Sequence, residues 1–353
     1  ERELPRVATA GEPFTYRVRV ANLGSRALDG LSLFEDFADP RPSFEAFRAA
    51  VRFPTYRAWK HAIEMRRTAH LPRQRLAPLP PRGRAQIDVQ ARALRRGIAH
   101  STGVTAARAD PLGLVNALAR APRGASLVVL PRRYALPPLA LPGSRRYQPG
   151  GVTLATSVGD AEEFVGLREY RPGDPLQRVH WKSFARAGWP IVKEFQTEYF
   201  ERHGLVLDSF ATARDERAFE EAVSIAASFV HTIDTRECLL DLMFIGAEVH
   251  RYTAGRGQMR AGGLLEVLAG VQPCRDRTFS VLADAVLARR HIITSCICIL
   301  LGWDDARSRF VRQLRAHGID TLAIAVSPDP VAAPPPGLLI VQPGRVQEGL
   351  ARL

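Results

Sequence analysis

The sequence predicts a multidomain chain, an antiparallel β-sandwich followed by a doubly wound α/β domain of Rossmann type. Three observations predict it. Short alternating strands punctuated by Gly and Pro fill residues 1–130. Short, nearly continuous apolar runs separated by helical stripes fill residues 201–353. Charge divides between the same halves: residues 1–150 hold 26 Lys and Arg against 11 Asp and Glu, and the remainder 23 against 25.

In chain order, Phe14, Tyr16, Val18 and Val20 share one face of a strand whose other face carries Arg17 and Arg19, and an Asn-Leu-Gly turn ends it. Leu31 to Phe34 reads as the next strand. Pro40 to Arg67, rich in Phe and Arg, reads either as a helical insertion or as irregular strands. Arg84 to Ala93 alternates again behind the turn Pro80-Pro81-Arg82-Gly83. Together these give an immunoglobulin-like sandwich over residues 1–130. Residues 131–158 are a Pro-, Arg- and Gly-rich extended linker, and residues 159–200 a motif-dense segment expected to pack on the domain after it.

Beyond residue 200, Leu205–Asp208, Cys238–Ile245, Ser295–Leu301, Thr321–Val326 and Leu338–Val341 suit strands of a mainly parallel sheet buried on both faces. Phe219, Ala222, Val223, Ala226, Phe229, Val230 and Ile233 form one helical stripe. Leu264, Leu265 and Leu268 form a second, ended at Gly270, and Phe310, Val311 and Leu314 a third, stopped by Gly318. Strands alternating with helices wind such a sheet on both sides.

Composition excludes several classes. The longest apolar runs, Cys238–Ala247 and Ser295–Trp303, fall short of the roughly 20 residues of a spanning helix. The chain begins at Glu1 directly in strand-like sequence, which reads as a soluble fragment whose preceding segment is removed. Cys238, Cys274, Cys296 and Cys298 form no CxxC pair and read as small buried hydrophobes in a reducing compartment. No phosphate-binding glycine loop, HExxH or GxSxG is present, and His231 and Cys238 are too isolated to form a dyad. No cofactor is expected and no enzyme. The net charge of +13 leaves anionic lipid, nucleic acid or an acidic partner open for the front half. Lys stands only at positions 60, 182 and 193 amid abundant Ala, Arg and Pro, so part of the excess is general composition.

The most distinctive stretch is GDAEEFVGLREYRPGDPLQRVHWKSFARAGWPIVKEFQTEY, residues 159–199. Arg171-Pro172-Gly173-Asp174 suits a type II turn. Arg178 to Arg186 suits a short helix with Trp181 and Phe184 toward a core and Lys182 and Arg186 outward. Ile191 to Tyr199 alternates as a strand. Seven acids and six bases lie between Asp160 and Glu198, a balance that points to an ion-pair network and away from nucleic acid.

Glu163, Phe164, Gly166, Leu167, Arg168, Tyr170, Gly173, Asp174, Arg178, Val179, Trp181, Lys182, Ala185, Arg186 and Glu194 resemble, in order, the signature of the bacterial "domain of unknown function 58" family. Arg95-Arg96-Gly97-Ile98 and Asp110-Pro111-Leu112-Gly113-Leu114 extend the resemblance upstream. It implies an inner-membrane-anchored accessory protein on the cytoplasmic face, working with a MoxR-type AAA+ ATPase. Within the signature, Glu163, Arg168, Tyr170, Gly173, Asp174, Arg178, His180, Trp181, Lys182 and Arg186 are either a structural staple or a partner-binding face.

Asp208 ends the first strand of the back domain, where α/β folds bind ligands. Asp208-Ser209-Phe210-Ala211-Thr212 resembles a degenerate metal-ion-dependent adhesion site of the von Willebrand factor type A domain. That resemblance implies Asp208, Ser209, Thr212 and Asp304 as a weak Mg²⁺ set, with Phe210 in place of an oxygen ligand. Three functions follow: a non-enzymatic scaffold, a metal-dependent hydrolase using Asp208, Asp174 and His180, or a nucleic-acid binder through the arginines of residues 41–96.

Overall fold

The structure, a computed structural model, describes residues 1–51, 53–138, 162–197, 201–212, 215–235, 238–255, 259–331 and 334–353; for residues 50, 162–165 and 195–197 it describes the backbone alone. Most of the expected linker, residues 139–158, therefore lies outside the described residues.

The front half is built of nine strands and two helices. In order these are β1 (Arg2–Glu3), β2 (Val7–Thr9), β3 (Pro13–Ala21), β4 (Leu31–Phe37), α1 (Phe44–Ala50), α2 (Tyr56–Glu64), β5 (Ala69–His70), β6 (Gln74–Arg75), β7 (Arg84–Ala93), β8 (Gly97–Ala109) and β9 (Asn116–Leu130). They form two sheets, ordered β1-β3-β7-β5 and β2-β9-β8-β4-β6. Alternation decides the packing: Tyr16 and Val18 of β3 and Val89 and Ala91 of β7 face inward onto Leu33, Leu76 and Leu79. Arg17 and Arg19 face outward, 3.2 Å from Asp88 and 2.9 Å from Glu3. The sheets are antiparallel except where β2 pairs parallel with the end of β9.

Residues 40–67 resolve as the helical alternative. Ser43 and Thr55 each accept a hydrogen bond from the backbone three residues on, capping α1 and α2. Phe47 meets Trp59 edge to face at 4.9 Å, holding the two helices together.

Between the halves lie β10 (Glu162–Glu169), α3 (Trp181–Ala187) and β11 (Ile191–Thr197), with β10 and β11 paired antiparallel. The back half follows with β12 (Glu201–Leu207), α4 (Glu216–Thr232), β13 (Cys238–Ile245), β14 (Val249–Ala254), α5 (Ala261–Gly270) and α6 (Phe279–Leu287). It ends with β15 (Ser295–Leu301), α7 (Asp305–Ala316), β16 (Asp320–Val326), β17 (Leu338–Val341) and α8 (Val346–Leu350). Its sheet runs β14-β13-β12-β15-β16-β17 and is mixed, because β14 returns antiparallel to β13.

Both faces of this sheet are covered, which is why its strands read as continuous apolar runs. Leu205, Leu207, Leu240 and Leu242 pack with α4, α5 and α8 on one face. Val206, Met243, Ile245, Cys296 and Cys298 pack with α6 and α7 on the other. The four cysteines are buried free thiols. Among the described residues no helix is long and apolar enough to cross a membrane.

One side chain fastens the sandwich to this sheet. Arg96 stands in the β7–β8 turn, and its side chain is only 5% exposed. Its guanidinium grips both carboxylate oxygens of Glu220 on α4, at 2.9 and 2.8 Å. It also donates to the carbonyls of Leu268 and Val271 at the end of α5, at 3.0 and 2.7 Å, and lies over the Phe219 ring. The last carbonyls of a helix have no partner within it and carry partial negative charge, so a buried cation belongs there. The chain then leaves β9 along α4 and α8. The Tyr134 N–H donates to Ser228 Oγ at 2.8 Å, and Gln347 brackets the Ala135 backbone from both sides.

Arg96→Ala is expected to cost about 3 kcal/mol of stability, because it leaves Glu220 and two carbonyls without their cation. Arg96→Lys should recover less than half, since an ammonium cannot form the fork. Urea unfolding measures both, and an alanine variant as stable as the parent would remove Arg96 from this role.

Candidate interaction site

The signature residues build an arm of their own. Arg171 to Asp174 turns on Gly173, whose φ of +106° suits glycine. The turn is closed by Asp174, whose Oδ2 accepts from the Arg171 N–H at 2.8 Å. A 3₁₀ turn at Leu176–Arg178 leads into α3. The His180 N–H donates to the Ile191 carbonyl, and His180 Nδ1 lies 2.6 Å from Ser183 Oγ. Gly188, at φ +79°, ends α3 with its N–H on the Phe184 carbonyl. Val179 and Val192, both buried, bridge the turn to β11 and serve as the arm's core.

Across that core Arg168 forks onto Asp174, Nη1 and Nη2 each 2.7 Å from a carboxylate oxygen, while Nε lies 3.7 Å from Glu194. The Arg168 hydrogen bonds, then the Arg171 backbone N–H, hold the Asp174 carboxyl down at about 2. A cleft of about 150 Å³ opens beside the pair, lined by Arg168, Asp174, Arg178, Val192, Lys193 and Glu194. Tyr170 is tied by its N–H to the Pro190 carbonyl at 3.0 Å. Lys182 and Arg186 are exposed, as the sequence expects. Glu163 pairs with Gln196 through the backbone, and its side chain lies outside the described residues.

Trp181 departs from expectation. It does not enter a core: it is 63% exposed, with Phe184 half-buried beneath it at 6.0 Å, edge to face. The reason is length. A seven-residue helix over a two-stranded hairpin has little interior to offer, and Phe184, itself only half-buried, takes the inner position. Leu176, 68% exposed, together with Leu167 and Trp189, extends the apolar surface of the arm.

The Asp208 site is arranged differently from a cation site. Asp208 is fully buried at the end of β12. Its Oδ1 accepts from the Phe210 N–H, and its Oδ2 from the Leu301 N–H and from Arg307 Nε at 2.7 Å. Arg307 also reaches Asp304 Oδ2 at 2.5 Å and lies over the Phe279 ring. Ser209 Oγ donates to the Ile245 carbonyl, and Thr212 Oγ1 to Asp215. The expected set of Asp208, Ser209, Thr212 and Asp304 therefore does not fit Mg²⁺. The two carboxylates converge on a guanidinium, which already supplies the positive charge a cation would bring. Burial pushes the Asp208 carboxyl up, and Arg307 opposes that rise. Among the described residues no hydrogen bond joins Asp208 to Asp174 or His180; Asp174 is held by Arg168, and His180 Nδ1 lies against Ser183 Oγ.

Sequence reasoning missed a cleft of about 890 Å³ between the β13–β14 edge and the end of α5. Its wall stacks Phe244 on His250 at 5.0 Å and on Tyr252 at 6.2 Å, with Glu266 and Arg275 on its lining. The alternation of His250 and Tyr252 was the signal available.

Residues 166–336 match the family described as "Protein of unknown function DUF58". This stretch is a DUF58 region. A curated relative, the "Uncharacterized protein YeaD" of Bacillus subtilis (strain 168), is 28% identical over 178 residues, which is 49% of this chain and 42% of that protein. The chain thus spans less than half the length of that relative. Among solved structures, "Crystal structure of Salmonella alpha-2-macroglobulin mutant Y1175G" is similar over 36% of this chain and 6% of its own, with 16% identity and a TM-score of 0.21. The DUF58 match begins inside β10 and ends just before β17, so it takes in both the arm and most of the mixed sheet.

Two outcomes test this geometry. The carboxyl of Asp174 is depressed on folding, so its contribution to the arm is complete above the ordinary carboxyl range near 4. That contribution is lost as pH falls through about 2. Amide NMR shifts of residues 166–194 should show this acid step, and Asp174→Asn should lack it. Arg307→Ala leaves a buried carboxylate without its cation, expected to cost about 3–5 kcal/mol at neutral pH. Since burial raises that carboxyl, the variant should be most stable below about pH 4 and weaken as pH rises. Asp208→Asn in the same background should remove the slope; a flat denaturation profile for Arg307→Ala alone would contradict the pairing.

Proposed function

We propose that this chain is a non-enzymatic scaffold whose arm receives a protein partner. The carrying observation is the composition of the arm's surface: Trp181, Trp189, Leu176 and Leu167 are exposed around a cation–carboxylate frame already closed on itself. Tryptophan and arginine dominate the energetics of protein interfaces, and a preformed frame lowers the ordering cost of binding. The family resemblance supplies a MoxR-type AAA+ ATPase as the partner, and anchoring on the cytoplasmic face of the inner membrane as the setting. The strand order with its antiparallel edge, and the strand-end Asp208, support a von Willebrand A-like reading of the back domain in which Arg307 takes the cation's place.

The hydrolase reading loses its support in the same contacts. A general acid or base must be able to reach a substrate proton. Asp208 is enclosed by three donors, and Asp174 is held as a low-range carboxylate by a fork of two hydrogen bonds.

Co-purification with a MoxR-type ATPase from the same host tests the proposal. The parent chain should bind, and Trp181→Ala with Trp189→Ala should weaken binding by at least about tenfold, the effect of losing a hot-spot residue. Circular dichroism should be unchanged. Binding undiminished in the double variant, or absent in the parent, would overturn the assignment.

A further inference from the structure

The hairpin that joins β8 to β9 carries a second exposed apolar surface, of a different chemical kind. Its tip is Asp110-Pro111-Leu112-Gly113-Leu114-Val115. The tip is a closed turn. The Asp110 N–H donates to the Val115 carbonyl at 2.9 Å, the Val115 N–H to Asp110 Oδ1 at 3.1 Å, and the Gly113 N–H to the Asp110 carbonyl at 3.0 Å. Gly113 takes φ +70°, the left-handed conformation that lets the chain reverse here. On this fixed turn Leu112 is 79% and Leu114 78% exposed, with Val115 and Leu118 exposed beside them. Four large aliphatic side chains close in sequence, held in water by a well-bonded turn, call for an occupant.

The exposed charge beside them is mainly positive. Arg108, opposite Ala117, stands next to the tip, and Arg120, opposite Thr105, stands further back on β9, 3.8 Å from Asp36; both are exposed. Arg73 is brought to its base by a 3.3 Å hydrogen bond to Asn116. The tip's one acid, Asp110, is engaged in closing the turn. Position matters as well. β8 starts at Gly97, next to the Arg96 fastening, and runs thirteen residues to Ala109. At about 3.3 Å per residue this places the tip on the order of 40 Å from the fastening point.

We propose that the tip of the β8–β9 hairpin inserts into the surface of an anionic bilayer, Leu112, Leu114 and Val115 entering the headgroup region and the flanking arginines meeting lipid phosphates. Apolar side chains rimmed by basic ones are the composition of interfacial membrane contacts. Single-stranded nucleic acid is the poorer match, since its binding sites stack bases on aromatic rings and the tip has none. A protein partner is also the poorer match, since Leu and Val are under-represented among interface hot spots, in contrast to the Trp-bearing arm. The inference rests on the membrane side of the proposed function and is independent of the arm.

Flotation of the whole chain with phosphatidylcholine vesicles, with and without phosphatidylglycerol, tests it. Binding should require phosphatidylglycerol and fall as salt rises. Leu112→Ser with Leu114→Ser should weaken it about tenfold or more. Arg108→Gln with Arg120→Gln should weaken it by a similar factor at low salt and flatten the salt dependence. In Leu114→Trp, brominated lipid should quench fluorescence that it leaves untouched in the parent. Equal binding to neutral vesicles, unchanged binding of the leucine variant, or a leucine variant that alters only self-association would each overturn the proposal. The ATPase measured on the same leucine variant separates the two readings: retained ATPase binding with no vesicle binding in the parent removes the membrane insertion alone.

Discussion

The guanidinium of Arg96 joins the two halves of the chain where α5 packs against β8 and β9. It reaches out of a β-turn of the sandwich into the other half, joining α4 through Glu220 to the open carbonyl end of α5. Without a buried cation at that junction, the α5 terminus and the Glu220 carboxylate would face a protein surface with their charges unmet. With it, the direction of β8 and β9 is set relative to the mixed sheet. Tyr134 and Gln347 then carry the chain across the same sheet's helices. The long hairpin consequently points away from the back domain.

The same device recurs at the two carboxylates that the sequence singled out. Arg168 closes Asp174, and Arg307 closes Asp208 together with Asp304. Arginine suits this because its planar fork matches a carboxylate and its charge is permanent. A carboxylate so held is a poor general base and a poor metal ligand. Two exposed surfaces stand apart from these closed pairs: tryptophans and arginines on the arm, leucines and arginines on the hairpin tip. The two surfaces differ in composition, tryptophans with leucines on one and leucines with valine on the other, a division that in the proposed readings would let one chain face a protein and a lipid without confusing them.

Much of the fold was legible because burial leaves periodic traces. Tyr16, Val18 and Val20 alternate where one sheet face is wet, and Cys296 to Leu301 run unbroken where both faces are dry. β14 escaped because an edge strand mixes Arg251 and Thr253 into its pattern. The helices of residues 44–64 were left open because Phe and Arg there follow no single period, although Ser43 and Thr55 are ordinary capping residues. At the sites, the strand-end position of Asp208 was legible from its strand. Arg307 was not, since 99 residues separate the partners and no local pattern links them. Trp181 was assigned inward by type, but a two-turn helix on a hairpin has too little interior to take it. Leu112 and Leu114 read only as part of a motif, because sequence does not distinguish an apolar residue in a core from one on an exposed turn.

The central claim is that the partner meets the arm and not the carboxyl ends of the sheet strands, where α/β folds usually bind. Hydrogen exchange of the chain, free and with the MoxR-type ATPase bound, addresses this directly. The account predicts slower exchange in residues 166–194, centred on α3, with the loop after Asp208 and the start of α7 unchanged. Protection confined to the loops around Asp208 and Asp304, with the arm exchanging as in the free chain, would contradict it.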